Sequence, residues 1–467
     1  MSTTVYRDIA VFIKSRLFII ALTLALLQQI SLALSTYFIA QAGEALTLQT
    51  YASIKMYIVY FFAFALLAYL ISSAGELVRV RLQNQTWKHY TLQTFSLLRK
   101  DIRLSSSKNS KLTTNWLTGE AAGTIEHAAA FYIGMASTYF NIIFTLIVFY
   151  LTLGHLISSV LLASLMVSAI FVMLMKTKID EYATRLQKTK LQALLEIEPL
   201  WHNSHFASSP MFNNRKLRYS DQSEHYFRTT EKYVLLEQMI ACLPICVAVL
   251  IMIVALYLPA EVTAVPLGTL VAVLPRTLQL FGSVHALSMY GSQFVIVRRK
   301  VKNLVTFTQT LEQQNFNEQI SAQKITIREI TTQQRYALAE FQQALVCQAL
   351  KPGRYLVQGD NGSGKSSVLK WIKSLSEDAV LISPDISFSE PDENLSTGQR
   401  QMKQLSGLLQ QPVEIFLLDE WDANLDTLNR HILNAQIDNI SAEKVVIEVR
   451  HSNTEHPAAF PLPTTET

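Results

Sequence analysis

The sequence predicts an all-α membrane domain of six spanning helices, followed by a small α/β domain that carries a phosphate-binding loop. Half of the 467 residues are hydrophobic and only 16% are charged, whereas soluble domains carry about a quarter charged residues. Long apolar runs recur before residue 300 and stop after it. A glycine-rich motif lies in the second part, between a strand-like and a helix-like segment.

Six apolar runs are long enough to cross a bilayer, which takes about 20 helical residues. We predict these spans at 17–41, 56–74, 130–153, 155–175, 234–258 and 264–290. The third run gives way to the fourth at Gly154 and His155, so a tight hairpin turn is expected there. Lys and Arg are frequent in two connections, between the second and third spans and between the fourth and fifth, while the opposite loops carry Lys55 alone. By the positive-inside rule, both chain ends lie in the cytoplasm.

Charge and cysteine content exclude two other classes of protein. The net charge of +4 is too small to indicate a nucleic-acid partner, and three cysteines are too few for a disulfide framework. The change in composition divides the chain into a membrane domain at 1–303, an α/β domain at 320–455 and a mobile tail at 456–467.

The strongest motif is a G-x-x-x-x-G-K-[ST] loop at residues 359–366. A short strand precedes it and a helix-like segment follows it, which is the context that this motif requires. Its glycines let backbone N–H groups close around phosphate oxygens, and the helix N-terminus adds positive potential. Lys365 is expected at the β- and γ-phosphates, and Ser366 on Mg²⁺. The nucleotide-binding residues predicted here are Gly359, Asn361, Gly362, Ser363, Gly364, Lys365, Ser366 and Ser367.

An apolar run at 415–418 ends in two carboxylates, Asp419 and Glu420. Such a run is typical of a buried parallel strand, and ligands bind at the carboxyl ends of these strands. Asp419 is suited to hold Mg²⁺, and Glu420 to polarise the water that attacks a phosphate. The sequence therefore predicts a metal ligand and a catalytic base beside the phosphate loop.

Three further segments resemble motifs of ATP-binding cassette (ABC) proteins. Residues 395–399, Leu-Ser-Thr-Gly-Gln, resemble the LSGGQ signature. Asp426 resembles the D-loop aspartate, and His451, after the strand at 444–449, resembles the switch histidine. All five motifs follow the family's order, and the resemblance covers about residues 320–455. The six predicted spans and their two long cytoplasmic connections look like the membrane domain of ABC exporters.

The resemblance implies that two chains bind ATP and Mg²⁺ between them, the partner being a second copy or a paralogous half-transporter. One chain would hold ATP through its phosphate loop, and Ser396, Gly398 and Gln399 of the other would cap the γ-phosphate. Asp426 would be a further nucleotide-binding residue, and His451 would be catalytic together with the carboxylate base.

Two more features are placed by the resemblance. Tyr336 is the nearest aromatic residue before the phosphate loop that could stack on adenine. The coupling segments, where the cytoplasmic hairpins dock on the cassettes, are expected near Asn115–Thr124 and Glu196–Phe206.

The sequence also departs from the family. Only 29 residues separate Lys365 from Leu395, where the family inserts a helical subdomain. Pro384-Asp385 stands where the Q-loop glutamine is usual, and Thr397 where the signature has glycine. Because Lys365 and both predicted catalytic residues remain, we expect slow but real ATP hydrolysis.

The preferred interpretation is an ATP-driven half-transporter in a bacterial inner membrane, surrounded by lipid and exporting an unidentified peptide or other amphipathic substrate. One alternative is an importer of peptides or siderophores. Another is a membrane-anchored nucleotide-dependent switch, or an immunity-type protein without transport. Polar side chains within the predicted spans are pathway candidates: Arg276 and Glu237 could pair as a gate or bind a charged substrate.

Overall fold

The computed structural model describes residues 15–99, 101–256, 267–347, 349–376, 378–384, 386, 388, 397–423 and 425–450. Contacts divide the chain into two units. The first comprises the chain up to Gln93 and Thr114–Gln309, and the second comprises Thr94–Thr113 and the chain from Thr310 onward. The boundary after Gln309 lies in residues 304–319, between the predicted membrane domain and the predicted α/β domain. The sequence did not predict that Thr94–Thr113 joins the second unit.

The first unit is built from long helices. The α-helices described up to Thr306 are α1 (Arg16–Thr47), α2 (Tyr51–Leu98), α3 (Ser107–Asn115), α4 (Ala122–Leu153), α5 (His155–Leu195), α6 (Ile197–Phe206), α7 (Ser209–Leu256) and α8 (Leu267–Thr306). A π-helical turn at Trp116–Ala121 joins α3 to α4. The last residues of α2 and most of α3 lie in the second unit.

Among the described residues, four helical segments are long and apolar enough to cross a membrane: Arg16–Thr47, Tyr51–Leu98, Ser107–Leu153 and Val271–Thr310. These segments indicate a membrane protein. Large apolar side chains of α2, such as Phe62, Leu66 and Leu70, are exposed, as expected for a surface that faces lipid. The other two predicted spans fall in α5 and α7 as far as these are described, and the six-span arrangement stays a prediction.

Small residues shape the helix contacts of the first unit. The predicted hairpin turn is confirmed, because α4 ends at Leu153, α5 begins at His155, and Gly154 between them has a φ of +82°. Gly43 on α1 and Gly268 on α8 pack so closely that a Cβ atom on either would overlap the other's carbonyl oxygen. Close approach at small residues is a common way for membrane helices to associate.

The second unit contains a six-stranded sheet in the order β2-β1-β3-β6-β5-β4. The strands are β1 (Ile325–Glu329), β2 (Arg335–Ala337), β3 (Gly353–Gly359), β4 (Val380–Ile382), β5 (Ile415–Asp419) and β6 (Val445–Val449). Strands β3, β6, β5 and β4 run parallel, while β1 and β2 form an antiparallel edge. The carboxyl ends of the parallel strands therefore meet at one edge of the sheet.

Helices cover both faces of this sheet. They are α9 (Phe316–Gln319), α10 (Leu338–Val346), α11 (Lys365–Leu375), α12 (Thr397–Leu409) and α13 (Thr427–Ser441). Leu417 of β5 lies in the core with α10 and α11, whereas Phe416 and Leu418 pack with α12 and α13. This alternation follows from the two-residue period of a strand. It explains why β5 reads as a continuous apolar run.

The loop tip Thr94–Thr113 is a structural part of the second unit. Ile102, in a short 3₁₀ turn, packs against the core that contains α11. The backbone N–H of Gln314 donates to the carbonyl of Arg103 at 2.9 Å. Buried Asn109 donates from Nδ2 to the carbonyls of Leu104 and Glu312, at 3.0 and 2.8 Å. These contacts fix the loop between α2 and α3 to the sheet unit.

The predicted coupling segments are not part of the second unit. Residues 115–124 and 196–206 both lie in the first unit. The segment that joins the sheet unit precedes the first of them in the chain. Docking of either predicted segment on a cassette stays a prediction.

Candidate functional site

The phosphate loop has the predicted local structure. β3 ends at Gly359, and α11 begins at Lys365. Gly362 and Gly364 have φ values of +79° and +95°, a left-handed conformation that favours glycine. A Cβ atom at Gly364 would also overlap the main chain of Gln319. Both glycines are therefore required by the backbone, independently of any ligand.

Lys365 lies over the phosphate loop. Its Nζ donates to the carbonyl oxygens of Gly359, at 2.8 Å, and Asp360, at 3.1 Å. The ammonium group is thus held where the N-terminus of α11 already favours an anion. Lys365, the residue predicted to bind phosphate, therefore lies at the N-terminus of α11.

The two predicted metal ligands meet, although 53 positions separate them in the chain. Ser366 Oγ donates to Asp419 Oδ1 at 2.9 Å. Asp419 is buried at the carboxyl end of β5. A hydroxyl and a carboxylate beside a phosphate site suit Mg²⁺, which is bound through one or two protein oxygens and substrate phosphates. Among the described residues, no group of three or more His, Cys, Asp or Glu could hold a metal ion.

Glu420 follows Asp419 in a strained conformation. Its φ is +46°, which is unusual for a residue with a side chain. Its N–H donates to the carbonyl of Val449, at the end of β6, at 2.9 Å. Glu420 is exposed. Since β6 lies between β3 and β5, the phosphate loop and Glu420 flank the carboxyl end of β6.

The other loop residues have distinct partners. Asn361 is exposed, whereas Ser363 is buried and its Oγ has no hydrogen-bond partner among the described residues. Ser367 Oγ donates to Gln319 Oε1 at 2.9 Å, and the carbonyl of Ser363 accepts from the N–H of Ser321 at 2.9 Å. The segment around α9 therefore supports the phosphate loop.

The signature-like segment is described only in part. Thr397 begins α12, so Gly398 and Gln399 lie in its first turn, and Gln399 is exposed. Ser396 and His451 lie outside the described residues, as does the predicted tail. Their roles stay predictions.

Asp426 has a local structural role. Its carboxylate accepts from the N–H and side-chain amide of Asn429, at 2.7 and 3.0 Å, and it is the N-cap of α13. Capping satisfies a helix donor that has no intrahelical partner. The predicted contact with nucleotide stays a prediction.

Tyr336 lies on the edge strand β2, and β1 separates it from β3. Its ring centroid is 6.1 Å from that of Phe341 and 6.3 Å from that of Tyr355. Burial and the nearby Glu329 carboxylate raise the pKa of its hydroxyl, which stays neutral at physiological pH. The ring belongs to an aromatic cluster, and stacking on adenine stays a prediction.

A buried charged network was missed by the sequence analysis. Glu448 on β6 is completely buried and accepts hydrogen bonds from Arg354, Arg450 and Trp421. Trp421 directly follows Glu420. The available signal was a carboxylate in the middle of the apolar strand Val-Val-Ile-Glu-Val.

Several polar side chains of the first unit form hydrogen bonds with one another. Asn141 Nδ2 donates to Gln29 Oε1 at 2.6 Å. Arg276 donates to Gln279 Oε1 and Thr145 Oγ1, at 2.6 and 3.0 Å, whereas Glu237 accepts from Ser292 at 2.9 Å. The suggested ion pair between Arg276 and Glu237 is not formed, because each side chain has its own polar partners.

No protein-family model matches this chain, and no curated protein matches it at a significant level.

Proposed function

We propose that this protein is an ATP-driven membrane transporter, an ABC-type half-transporter that works as a dimer. The hydrogen bond between Ser366 and Asp419 is the observation that carries the proposal. It joins Ser366 of the phosphate loop to Asp419 at the carboxyl end of β5. Glu420 is the next residue in the chain and is the third group. Hydrolysis of a nucleoside triphosphate requires these three groups together.

The chain's own residues supply binding and proton transfer. Lys365 and the backbone N–H groups of the phosphate loop bind the phosphates. Ser366 and Asp419 would hold Mg²⁺, which supplies neutralising charge when bound. Glu420 orients a water molecule and accepts its proton while the water oxygen attacks the γ-phosphorus. The bond to the β-phosphate oxygen breaks, and ADP and inorganic phosphate leave.

Each site needs a second chain. In the proposed dimer, Ser396, Gly398 and Gln399 of one chain cap the γ-phosphate bound by the other. The position of Gly398 in the first turn of α12 supports this arrangement, because helix N-termini favour phosphate oxygens. A second copy is the proposed partner, and a paralogous half-transporter would serve the same geometry.

The loop tip Thr94–Thr113 supports transport over an isolated switch. Its Ile102 packs on the core beside α11, the helix that begins at Lys365. The same loop continues directly into α2 and α3. A shift of α11 on nucleotide binding therefore has a covalent path to membrane helices, without a Q-loop glutamine.

The membrane arrangement is proposed with six spans and both chain ends in the cytoplasm of a bacterial cell. We propose export of a peptide or other amphipathic substrate, because α1, α4 and α8 carry paired polar side chains within an apolar bundle. Import of a peptide or siderophore is the alternative with reversed direction.

Inside-out vesicles and a panel of fluorescent amphipathic peptides test this function. We expect vesicles with the wild-type chain to accumulate at least one peptide when ATP and Mg²⁺ are supplied. Vesicles with Lys365→Ala should not accumulate it. ATP hydrolysis without accumulation of any peptide would contradict export and favour the importer or the membrane-anchored switch.

A further inference from the structure

The turn after β5 is held in a conformation that needs support. A left-handed φ is unfavourable for a residue with a side chain and persists only where its surroundings determine it. Glu420 has this conformation, with φ at +46°. One main-chain hydrogen bond from its N–H to Val449 and one to its carbonyl from Ala423 are both near 3 Å. These two bonds hold the main chain of the turn.

Trp421 adds side-chain contacts that hold the same turn. The residue is 1% exposed and packs in the core with Leu405 and Leu425. Its indole Nε1 donates to Glu448 Oε2 at 2.9 Å, and its carbonyl accepts from Gln401 Nε2 at 2.7 Å. Because the buried indole ring is held by the hydrogen bond to Glu448, the peptide between Glu420 and Trp421 has little freedom to move.

Glu448 is a rigid anchor for that ring. Arg354 donates to it twice, from Nε to Oε1 at 3.0 Å and from Nη2 to Oε2 at 2.8 Å. Arg450 Nε donates to Oε1 at 3.0 Å. Bidentate pairing with arginine fixes both the distance and the orientation of a carboxylate.

The same anchor reaches the end of β6. The guanidinium group of Arg450 lies 5.8 Å from the ring centroid of Trp421. Arg450 also donates to Asn434 Oδ1 at 3.0 Å. It directly precedes His451, so one network contacts the neighbours of both predicted catalytic residues.

We infer that Trp421 is a positioning residue, whose indole N–H, anchored on Glu448, holds the Glu420 carboxylate in the geometry for attack by water. The inference rests on the proposed ATP hydrolysis and adds a residue to it. Trp421 acts through Glu420 and touches no phosphate. Gln401 contributes through its hydrogen bond to the Trp421 carbonyl, and thereby links the turn to α12.

Trp421→Phe tests the inference in the full-length protein in detergent. The substitution keeps a ring in the core and removes the N–H that Glu448 accepts. We expect kcat for ATP hydrolysis to fall about tenfold, with KM for ATP within about twofold of wild type. Trp371→Phe, in α11 of the same unit, is the matched control and should keep the wild-type kcat.

A double variant separates positioning from general damage. If Trp421 acts through Glu420, then Trp421→Phe should cause no further loss in the Glu420→Gln background. An equal fold-loss in both backgrounds overturns the inference, as does an unchanged kcat in the single variant. A rise in KM that accompanies the loss of kcat also overturns it.

Gln401→Leu keeps the inference testable if Trp421→Phe fails to fold. It leaves the ring and the Glu448 network intact and removes only the bond to the Trp421 carbonyl. We expect kcat to fall about threefold at unchanged KM, and an unchanged kcat contradicts the role. If the wild-type chain itself releases no phosphate, the proposed function is overturned; if only the variants match wild type, the positioning role alone is.

Discussion

Replacing Glu420 with Gln is expected to lower the rate of ATP hydrolysis about 100- to 1000-fold and to leave ATP binding unchanged. The amide has nearly the same size as the carboxylate, but it cannot accept the proton of the attacking water. The backbone strain at φ +46° stays the same, because Gln and Glu meet the same steric limits. Phosphate release by the full-length protein in detergent, with Mg²⁺ and ATP in excess, measures the effect.

Glu414→Gln is the matched control for this variant. Glu414 is an exposed carboxylate that directly precedes β5, whereas Glu420 follows the strand's other end. The control should hydrolyse ATP at the wild-type rate. Equal phosphate release from Glu420→Gln and wild type would refute the assignment of Glu420 as the base.

Replacing Arg354 with Met is expected to destabilise the second unit by about 3–5 kcal/mol, because removing one partner leaves a buried charge uncompensated. Arg354 is 1% exposed and donates to Glu448, Asp438 and Asn434. Arg450 alone would remain to neutralise Glu448. Resistance of the second unit to proteolysis during thermal unfolding in detergent measures the loss. Arg335→Met, an exposed arginine on β2, should show no change.

A second substitution distinguishes a lost charge partner from a lost side chain. Arg354→Met with Glu448→Leu replaces both charges by apolar groups and should recover part of the stability. If the double variant is less stable than Arg354→Met by the full cost of an independent core substitution, then the buried charge is not the cause.

The same network predicts acid sensitivity. Complete burial on its own raises the pKa of the Glu448 carboxyl, but the charges of Arg354 and Arg450 and the hydrogen bonds from Arg354 and Trp421 outweigh this and lower the pKa below its ordinary 4.5. A lowered folded-state pKa contributes stability above the ordinary value, and this stability is lost as the pH falls through the folded-state pKa. In Arg354→Met the loss should begin at a higher pH than in wild type.

Local patterns allowed much of the sheet unit to be predicted. The phosphate loop and the strand that ends at Asp419 could be predicted because short motifs and apolar runs determine them directly. The hairpin turn at Gly154 was readable for the same reason. The attachment of Thr94–Thr113 was not, because it depends on Ile102 and on hydrogen bonds and an ion pair with residues 312–314, which are far away in the chain.

The candidate site also contains residues that local motifs predicted and residues that they did not. Ser366 and Asp419 were predicted together, since each belongs to a motif with a known chemical partner. Trp421 and Arg450 were not, because their role arises from a tertiary contact with Glu448. Asp426 followed a family pattern, while its spacing to Asn429 also fits the helix cap that it forms.

Retention of radiolabelled ATP by the full-length protein tests the central claim, that the loop at 359–366 binds the triphosphate. In detergent with Mg²⁺, the wild-type chain should retain about one ATP per chain, as expected for one phosphate loop in each copy. Lys365→Ala should weaken binding by about 10- to 100-fold, because charge-assisted contacts with the phosphates are lost. Failure of the wild-type chain to retain ATP at millimolar concentration, or equal retention by Lys365→Ala, would contradict the account.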